Sequence, residues 1–216
     1  MAKTPSPQPD NDRVALLGGP PTAAYPLAKR AFDIAGSALA IALLSPVLAF
    51  CAAWIKLADG GPVLYRQWRT GRDGWLFVIY KFRTMRLDAE KGGARFASAN
   101  DSRIIPGCAW MRRSHVDELP QLFNILKGEM SLVGPRPERP EMIEQLRPDI
   151  PDFEARLDAT PGLTGLAQVA AGYSNDTEGM RTKLRYDLAY LRRRSLLADA
   201  HVVVKTVPKF WDHAAC

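Results

Sequence analysis

Along the chain, apolar positions first show no period, then fuse into one continuous run, then break into short amphipathic pieces. Between positions 34 and 55 lie 22 consecutive residues without a charge, IAGSALAIALLSPVLAFCAAWI. This run predicts a helix over about 27–57, interrupted or bent at Pro46. Two β-like stretches follow, 63–67 and 77–82, separated by the turn-like Thr70-Gly71-Arg72-Asp73-Gly74. Helices are expected over about 107–113 and 117–127, then a Gly/Pro-rich connection over 133–140 and a helix over about 140–157. A loop holds positions 161–165, a polar helix spans about 177–193 and an apolar one about 195–210. Residues 1–26 carry six of the 17 prolines and no apolar period, and read as a disordered tail. No repeat of fixed period occurs.

At about 1.5 Å per residue the uncharged run is roughly 33 Å long, enough for a hydrocarbon core of about 30 Å. Ser45-Pro46 sits in its middle, where proline removes a donor and costs about 3 kcal/mol in a regular helix. The Ser45 hydroxyl is placed to satisfy the carbonyl so freed. Lys29 and Arg30 precede the run, and Lys56, Arg66, Arg69 and Arg72 follow it. Basic residues on both sides frustrate a spanning orientation and suit a helix that enters and returns on one face. A bent single-pass anchor and a re-entrant helix both stay open; a buried core helix fits the uninterrupted apolarity less well. The last helix fits either an interfacial position, with the aromatic residues of Lys209-Phe210-Trp211 at headgroup depth, or ordinary core packing.

Composition narrows the class. The chain has 216 residues, 47% hydrophobic and 24% charged, which excludes a fully disordered protein and suits one main domain. A mean hydropathy of −0.16 argues against a polytopic membrane protein. The 29 Lys+Arg against 23 Asp+Glu give a net charge of +6, which fits attraction to an anionic leaflet. Aromatic and basic residues do not interleave as a stacking platform requires, so nucleic acid is the weaker partner. Cys51, Cys108 and Cys216 are far apart and His115, His201 and His213 lack ligand spacing, which points to a reducing compartment and away from a transition-metal site.

The densest chemistry is Met111-Arg-Arg-Ser-His-Val-Asp117-Glu118-Leu-Pro-Gln-Leu-Phe-Asn124. One reading is local: Ser114 caps a helix whose first turn holds two acids that complement its dipole. The other is chemical. Adjacent carboxylates about 100° apart on a helix let one attack phosphorus while the other holds a divalent cation. Gly134-Pro135-Arg136-Pro137 stiffens the backbone around one guanidinium, which suits bidentate phosphate binding or merely a rigid turn. Lys81 and Arg83 lie two residues apart at the end of a β-like stretch, a phosphate wall or a solvated edge. With Arg112 and Arg113 these cations exceed what one acidic pair needs, as a pyrophosphate substrate would require. Neither a P-loop nor a dinucleotide-binding glycine motif is present.

These residues carry a resemblance. Lys29-Arg30-Ala-Phe-Asp33, Ser45-Pro46, Tyr80-Lys-Phe-Arg-Thr-Met85, Asp117-Glu-Leu-Pro-Gln-Leu-Phe-Asn124, Leu126-Lys-Gly-Glu-Met-Ser-Leu-Val-Gly-Pro-Arg-Pro137 and Pro161-Gly-Leu-Thr-Gly-Leu-Ala-Gln-Val169 follow in order over about residues 27–210. In this the chain resembles the bacterial sugar transferases, the monotopic phosphoglycosyl transferases that act on polyprenyl phosphate. The resemblance implies transfer of a sugar-1-phosphate from a UDP-sugar to undecaprenyl phosphate with release of UMP. It implies a re-entrant helix over 27–58 broken at Ser45-Pro46, and a catalytic domain over 59–213 on the cytoplasmic face of the bacterial inner membrane. Asp117 would be the nucleophile, forming a covalent phosphosugar intermediate, and Glu118 its dyad partner; both would place Mg²⁺. Arg112 and Arg136, with Lys81 and Arg83, would bind phosphate. Membrane lipids are expected partners, nucleic acid is not, and homo-oligomerisation is left open.

His115 stands where the family usually has a small hydroxyl residue, and Leu166 where it often has Trp. The Pro135–Pro140 stretch and the Leu184–Tyr190 helix are more similar to exopolysaccharide-initiating members that use glucose or galactose. The fold so implied is α/β, helix-rich around a small sheet, with a compact cytosolic domain and interfacial amphipathic helices. A rival reading is a non-catalytic membrane-anchored adaptor in which the dyad only caps a helix.

Overall fold

The computed structural model describes residues 22–89, 101–171 and 176–208. Most of the expected tail and Lys209-Phe210-Trp211 lie outside the described residues.

The uncharged run forms one helix, α1, Tyr25–Asp59. Pro26 sits in its first turn, where a missing N–H costs nothing. Gly60 ends it in the left-handed region at φ 69°, its N–H returning to Lys56 O at 3.0 Å. Helical structure continues through Pro46, so the expected interruption is not a break. The reason is local: Ser45 Oγ donates to Ala42 O at 2.9 Å, the carbonyl that Pro46 leaves without its helical donor.

The faces of α1 differ. Asp33, Ser37, Cys51 and Ile55 are buried, and Ala40, Ile41, Leu44 and Leu48 between them pack on the domain. Leu39, Leu43, Val47, Phe50, Trp54 and Leu57, at spacings of three and four, form an exposed apolar stripe. Only 11% of the most apolar 18-residue window is buried, and among the described residues this is the one helix long and apolar enough to cross a membrane. A buried core helix does not fit that exposure.

Both ends of α1 are bonded to one body. Arg30 donates from Nη1 to Ile125 O at 2.6 Å and from Nη2 to Leu126 O at 2.7 Å. Asp33 Oδ1 accepts from Leu132 N and Ser131 Oγ, each at 3.0 Å. Near the other end Trp54 Nε1 donates to Gly107 O at 3.1 Å.

The β-like stretches form a hairpin, β1 (Leu64–Thr70) and β2 (Leu76–Phe82), antiparallel with Tyr65 opposite Lys81 and Arg69 opposite Phe77. Asp73 and Gly74 turn it at positive φ. A short helix α2 (Ala109–Arg113) is followed by a 3₁₀ turn, Val116–Glu118, and then by α3 (Gln121–Lys127). The helix expected over 117–127 therefore starts late, because Pro120 has no N–H to give and occupies the cap position before Gln121. The helix expected over 140–157 stops as α4 (Pro140–Leu146), since Pro148 and Pro151 cannot continue its ladder, and Pro151–Asp158 is 3₁₀.

A pair of strands not expected from the sequence, β3 (Ser131–Val133) and β4 (Gly162–Thr164), runs parallel. Three more helices follow: α5 (Leu166–Ala170), α6 (Thr177–Arg193) and α7 (Leu196–Thr206). Among the described residues the protein is thus helix-rich with two small sheets rather than one. Asp199 of α7, buried, accepts from Tyr25 at 3.0 Å and Tyr190 at 2.6 Å and pairs with Lys29 at 3.1 Å, joining α1, α6 and α7.

Candidate active site

Three short segments meet at the dyad. The first is the 3₁₀ turn holding Asp117 and Glu118, both buried. His115 precedes it in the left-handed region at φ 54° and reverses the chain after α2. Ser114 does not cap this turn; its hydroxyl donates back to Trp110 O at 2.8 Å. The capping reading of the acidic pair therefore falls: Glu118 is spent on cations, not on backbone N–H groups.

The second segment is β2. Its inward face buries Phe77 and Ile79 and, in the same alternation, aims Lys81 at Glu118 Oε1 at 2.7 Å.

The third is Gly134-Pro135-Arg136-Pro137. A Cβ on Gly134 would lie 2.3 Å from Thr160 O, one on Gly162 2.1 Å from Gly134 N, and one on Gly165 2.2 Å from Gly134 O. Only glycine allows these backbones to close on one another. Prolines leave this stretch poor in donors, yet each carbonyl from 135 to 138 accepts. Gly162 N reaches Pro135 O at 2.9 Å and Arg156 Nη2 reaches Arg136 O at 2.9 Å. Arg69 Nη1 reaches Pro137 O at 3.1 Å and Thr70 N reaches Glu138 O at 3.0 Å. So held, Arg136 forks onto Glu118, Nη2 to Oε1 at 2.7 Å and Nη1 to Oε2 at 3.2 Å.

The two carboxylates are driven apart in character. Burial pulls Glu118 up, but Arg136 and Lys81 outweigh it and hold it well below the usual carboxylate range. Burial, reinforced by the Glu118 charge, pushes Asp117 up to about 6 despite Lys81, Arg112 and Arg136. Among the described residues, the Asp117 carboxylate makes no hydrogen bond or ion pair. Arg112 borders the pair with Nη1 3.4 Å from Thr84 Oγ1. Three cations (Lys81, Arg112, Arg136) against two carboxylates leave the site receptive to anionic ligand.

Arg83 is not brought to the dyad. The strand ends at Phe82, so the two-residue alternation with Lys81 stops there. Its buried guanidinium is held by Asp59 at 2.6 Å, Pro62 O and Met85 O. Residues the sequence did not single out for the site are Arg69, Glu138, Arg156 and Asp187. Arg156 pairs with Asp187 at 2.8 Å and lies 3.6 Å from Glu138. Buried arginines paired to acids from distant segments leave no local spacing to read.

The dyad opens into a cavity of about 1350 Å³ reaching from Trp68 on β1 to Val207 after α7, lined also by His115 and Arg139. That is more than one small ligand fills.

The model of the bacterial sugar transferase family matches residues 24–213. The chain is 42% identical over 194 residues to a UDP-glucose:undecaprenyl-phosphate glucose-1-phosphate transferase of Caulobacter vibrioides, covering 88% of this chain and 73% of that protein. It is 41% identical over 187 residues to a UDP-N-acetylgalactosamine-undecaprenyl-phosphate N-acetylgalactosaminephosphotransferase of Aeromonas hydrophila, covering 87% of this chain but 44% of that protein. An exopolysaccharide production protein of Rhizobium leguminosarum bv. phaseoli is 40% identical over 188 residues, 83% of this chain and 92% of that one.

Proposed function

The chain belongs to the bacterial sugar transferase family, and from that membership we propose that it transfers a sugar-1-phosphate from a UDP-sugar to undecaprenyl phosphate and releases UMP. The observation that carries this reading is Asp117, buried and, among the described residues, unengaged, beside a Glu118 clamped by Lys81 and Arg136. In the first half-reaction an Asp117 oxygen attacks the β-phosphorus of the donor. The bond from that phosphorus to the bridging oxygen breaks, and UMP leaves with the electron pair. In the second, a phosphate oxygen of the acceptor attacks the same phosphorus and frees the Asp117 carboxylate. Lys81, Arg112 and Arg136 balance the charge gathering on phosphate oxygens.

The donor set suits Mg²⁺. A hard octahedral ion is held in such sites by one or two carboxylates, with phosphate oxygens and water completing its shell. Asp117 has free lone pairs for it, and Glu118 lies beside it. When bound, the ion would neutralise pyrophosphate charge. Glucose, galactose and N-acetylgalactosamine are the donors to try first, since the chain's own motifs suggest the first two and a relative is named for the third. A place early in exopolysaccharide or other surface-glycan assembly follows from the same membership.

The membrane is part of the proposal. In the leaflet the continuous helix α1 would bend at Ser45-Pro46, so that both its ends stay on the cytoplasmic face with the site. Two observations support this. The exposed stripe of α1 is apolar throughout, and both its ends are bonded to one polar domain, which a spanning orientation would drag into lipid.

The test is direct. Membrane-embedded protein is given undecaprenyl phosphate, Mg²⁺ and a panel of UDP-sugars, and UMP is measured. With donor alone, a phosphosugar adduct should appear on the peptide carrying Asp117. No UMP from any donor would overturn the reading.

A further inference from the structure

Arg112 and Asp117 are five positions apart in the chain. On one continuous α-helix they would project about 140° from one another and could not share a wall. In the structure both line the dyad cavity, and the Arg112 charge bears on Asp117. A sharp change of direction lies between them. α2 ends at Arg113, the 3₁₀ turn begins at Val116, and His115 just before it is left-handed at φ 54° and ψ 13°.

His115 belongs to both sides of the bend through its backbone. Its N–H donates to Arg112 O at 3.1 Å, and its carbonyl accepts from Glu118 N at 3.1 Å. Each flank is then locked into its own part of the core. Met111, fully buried, packs with Cys51 and Ile55 of α1. Leu119 packs with Phe77 and Ile79 of β2, and Val116 packs against both groups. With the flanks so fixed, the angle at His115 sets the angle between Arg112 and Asp117. A residue with a Cβ is strained in the left-handed region, a β-branched one most of all, whereas Gly and Asn adopt it readily. Strained backbone of this kind collects at functional sites, where the surrounding contacts hold it in place.

We propose that His115 is a positioning residue: its left-handed backbone folds Arg112 back beside Asp117, so that guanidinium and nucleophile bear on one phosphate of the donor. The proposal rests on the transferase reading above and adds how the two groups are aimed. It gives the role to the backbone. Activity then follows how easily residue 115 takes the left-handed conformation, not the size, polarity or charge of its side chain.

The experiment compares membrane-embedded full-length variants for kcat and for the Kd of UDP in the presence of Mg²⁺. His115→Gly and His115→Asn should each retain roughly tenfold or more kcat relative to His115→Val. Gly and Asn variants as slow as the Val variant would give the role to the imidazole and overturn the proposal, as would a Val variant as fast as they are. A merely destabilised fold also slows turnover, so Arg112→Ala is added to each background. It should weaken UDP binding about tenfold in the unaltered protein and in the Asn variant, and less than about threefold in the Val variant, where Arg112 is already out of place. An equal loss in every background would refute the proposal. If the Val variant does not fold, His115→Ala, the milder strain, carries the same cycle. UDP affinity is read without turnover, so the cycle stands apart from failure of the transferase reading, which would show as no UMP from the unaltered protein.

Discussion

Arg136 meets Glu118 as a fork on a carboxylate, at 2.7 and 3.2 Å, and Lys81 takes the same Oε1 from the other side. That arrangement decides which member of the dyad is free. Glu118 is committed to cations and Asp117 is not, although the two are neighbours in sequence.

Asp117→Asn should lower kcat by about 10³-fold or more, since an amide is no nucleophile toward phosphorus. Fold and membrane partitioning should persist. A variant within tenfold of the unaltered rate would exclude Asp117 as the attacking group.

The same substitution has a pH signature. Asp117 is held up at about 6 against an unfolded value near 3.8, so ionising it costs folded-state stability as pH rises through that window. Asp117→Asn escapes this cost. Thermal melts should show the variant level with the unaltered protein near pH 4 and more stable above pH 6, by an order of 1–3 kcal/mol. The rate of adduct formation should fall below about pH 6 as Asp117 takes up its proton. Glu118, held low, stays charged through that range and adds no limb.

Glu118→Gln should be the more damaging change to the fold. It leaves the buried ammonium of Lys81 without its carboxylate, a loss on the order of 1–3 kcal/mol in urea titrations. The Asp117 pKa should also drop, because the neighbouring negative charge is gone. An acid limb that does not move would contradict that coupling.

Arg156→Lys keeps a charge beside Asp187 but cannot span from there to Arg136 O as the guanidinium does. Arg156 touches no reacting atom in this mechanism, so it acts by positioning. Its variant should raise the donor KM several-fold, about 3- to 10-fold, with little change in the pH limb set by Asp117. A shifted limb would mean that Arg156 acts on the dyad's charge instead.

What the sequence made legible follows its periodicity. The α6 helix, 177–193, is where the polar pattern placed it, and the hairpin is where alternation placed it. The dyad, Lys81, Arg112 and Arg136 stood out as charges in short motifs, and they converge. What escaped depends on contacts without local period. β3 and β4 are three residues each, and exist because Gly134, Gly162 and Gly165 let two loops approach closely. Arg83 was grouped with Lys81 by strand alternation, which holds only while the strand lasts. Prolines 120, 148 and 151 shortened two helices that apolar spacing alone would have extended.

The fastening of α1 has a kinetic consequence. Arg30 ties it to the helix after the dyad, and Trp54 ties it to the loop just before Arg112. An element held so is no tether, for it has no slack: in the proposed membrane placement the depth α1 takes in a leaflet is the depth at which Asp117 waits. Encounters with the proposed lipid-borne acceptor are then collisions in a plane. Turnover should follow the mole fraction of that lipid in the bilayer, and stay flat when the same vesicles are diluted with buffer.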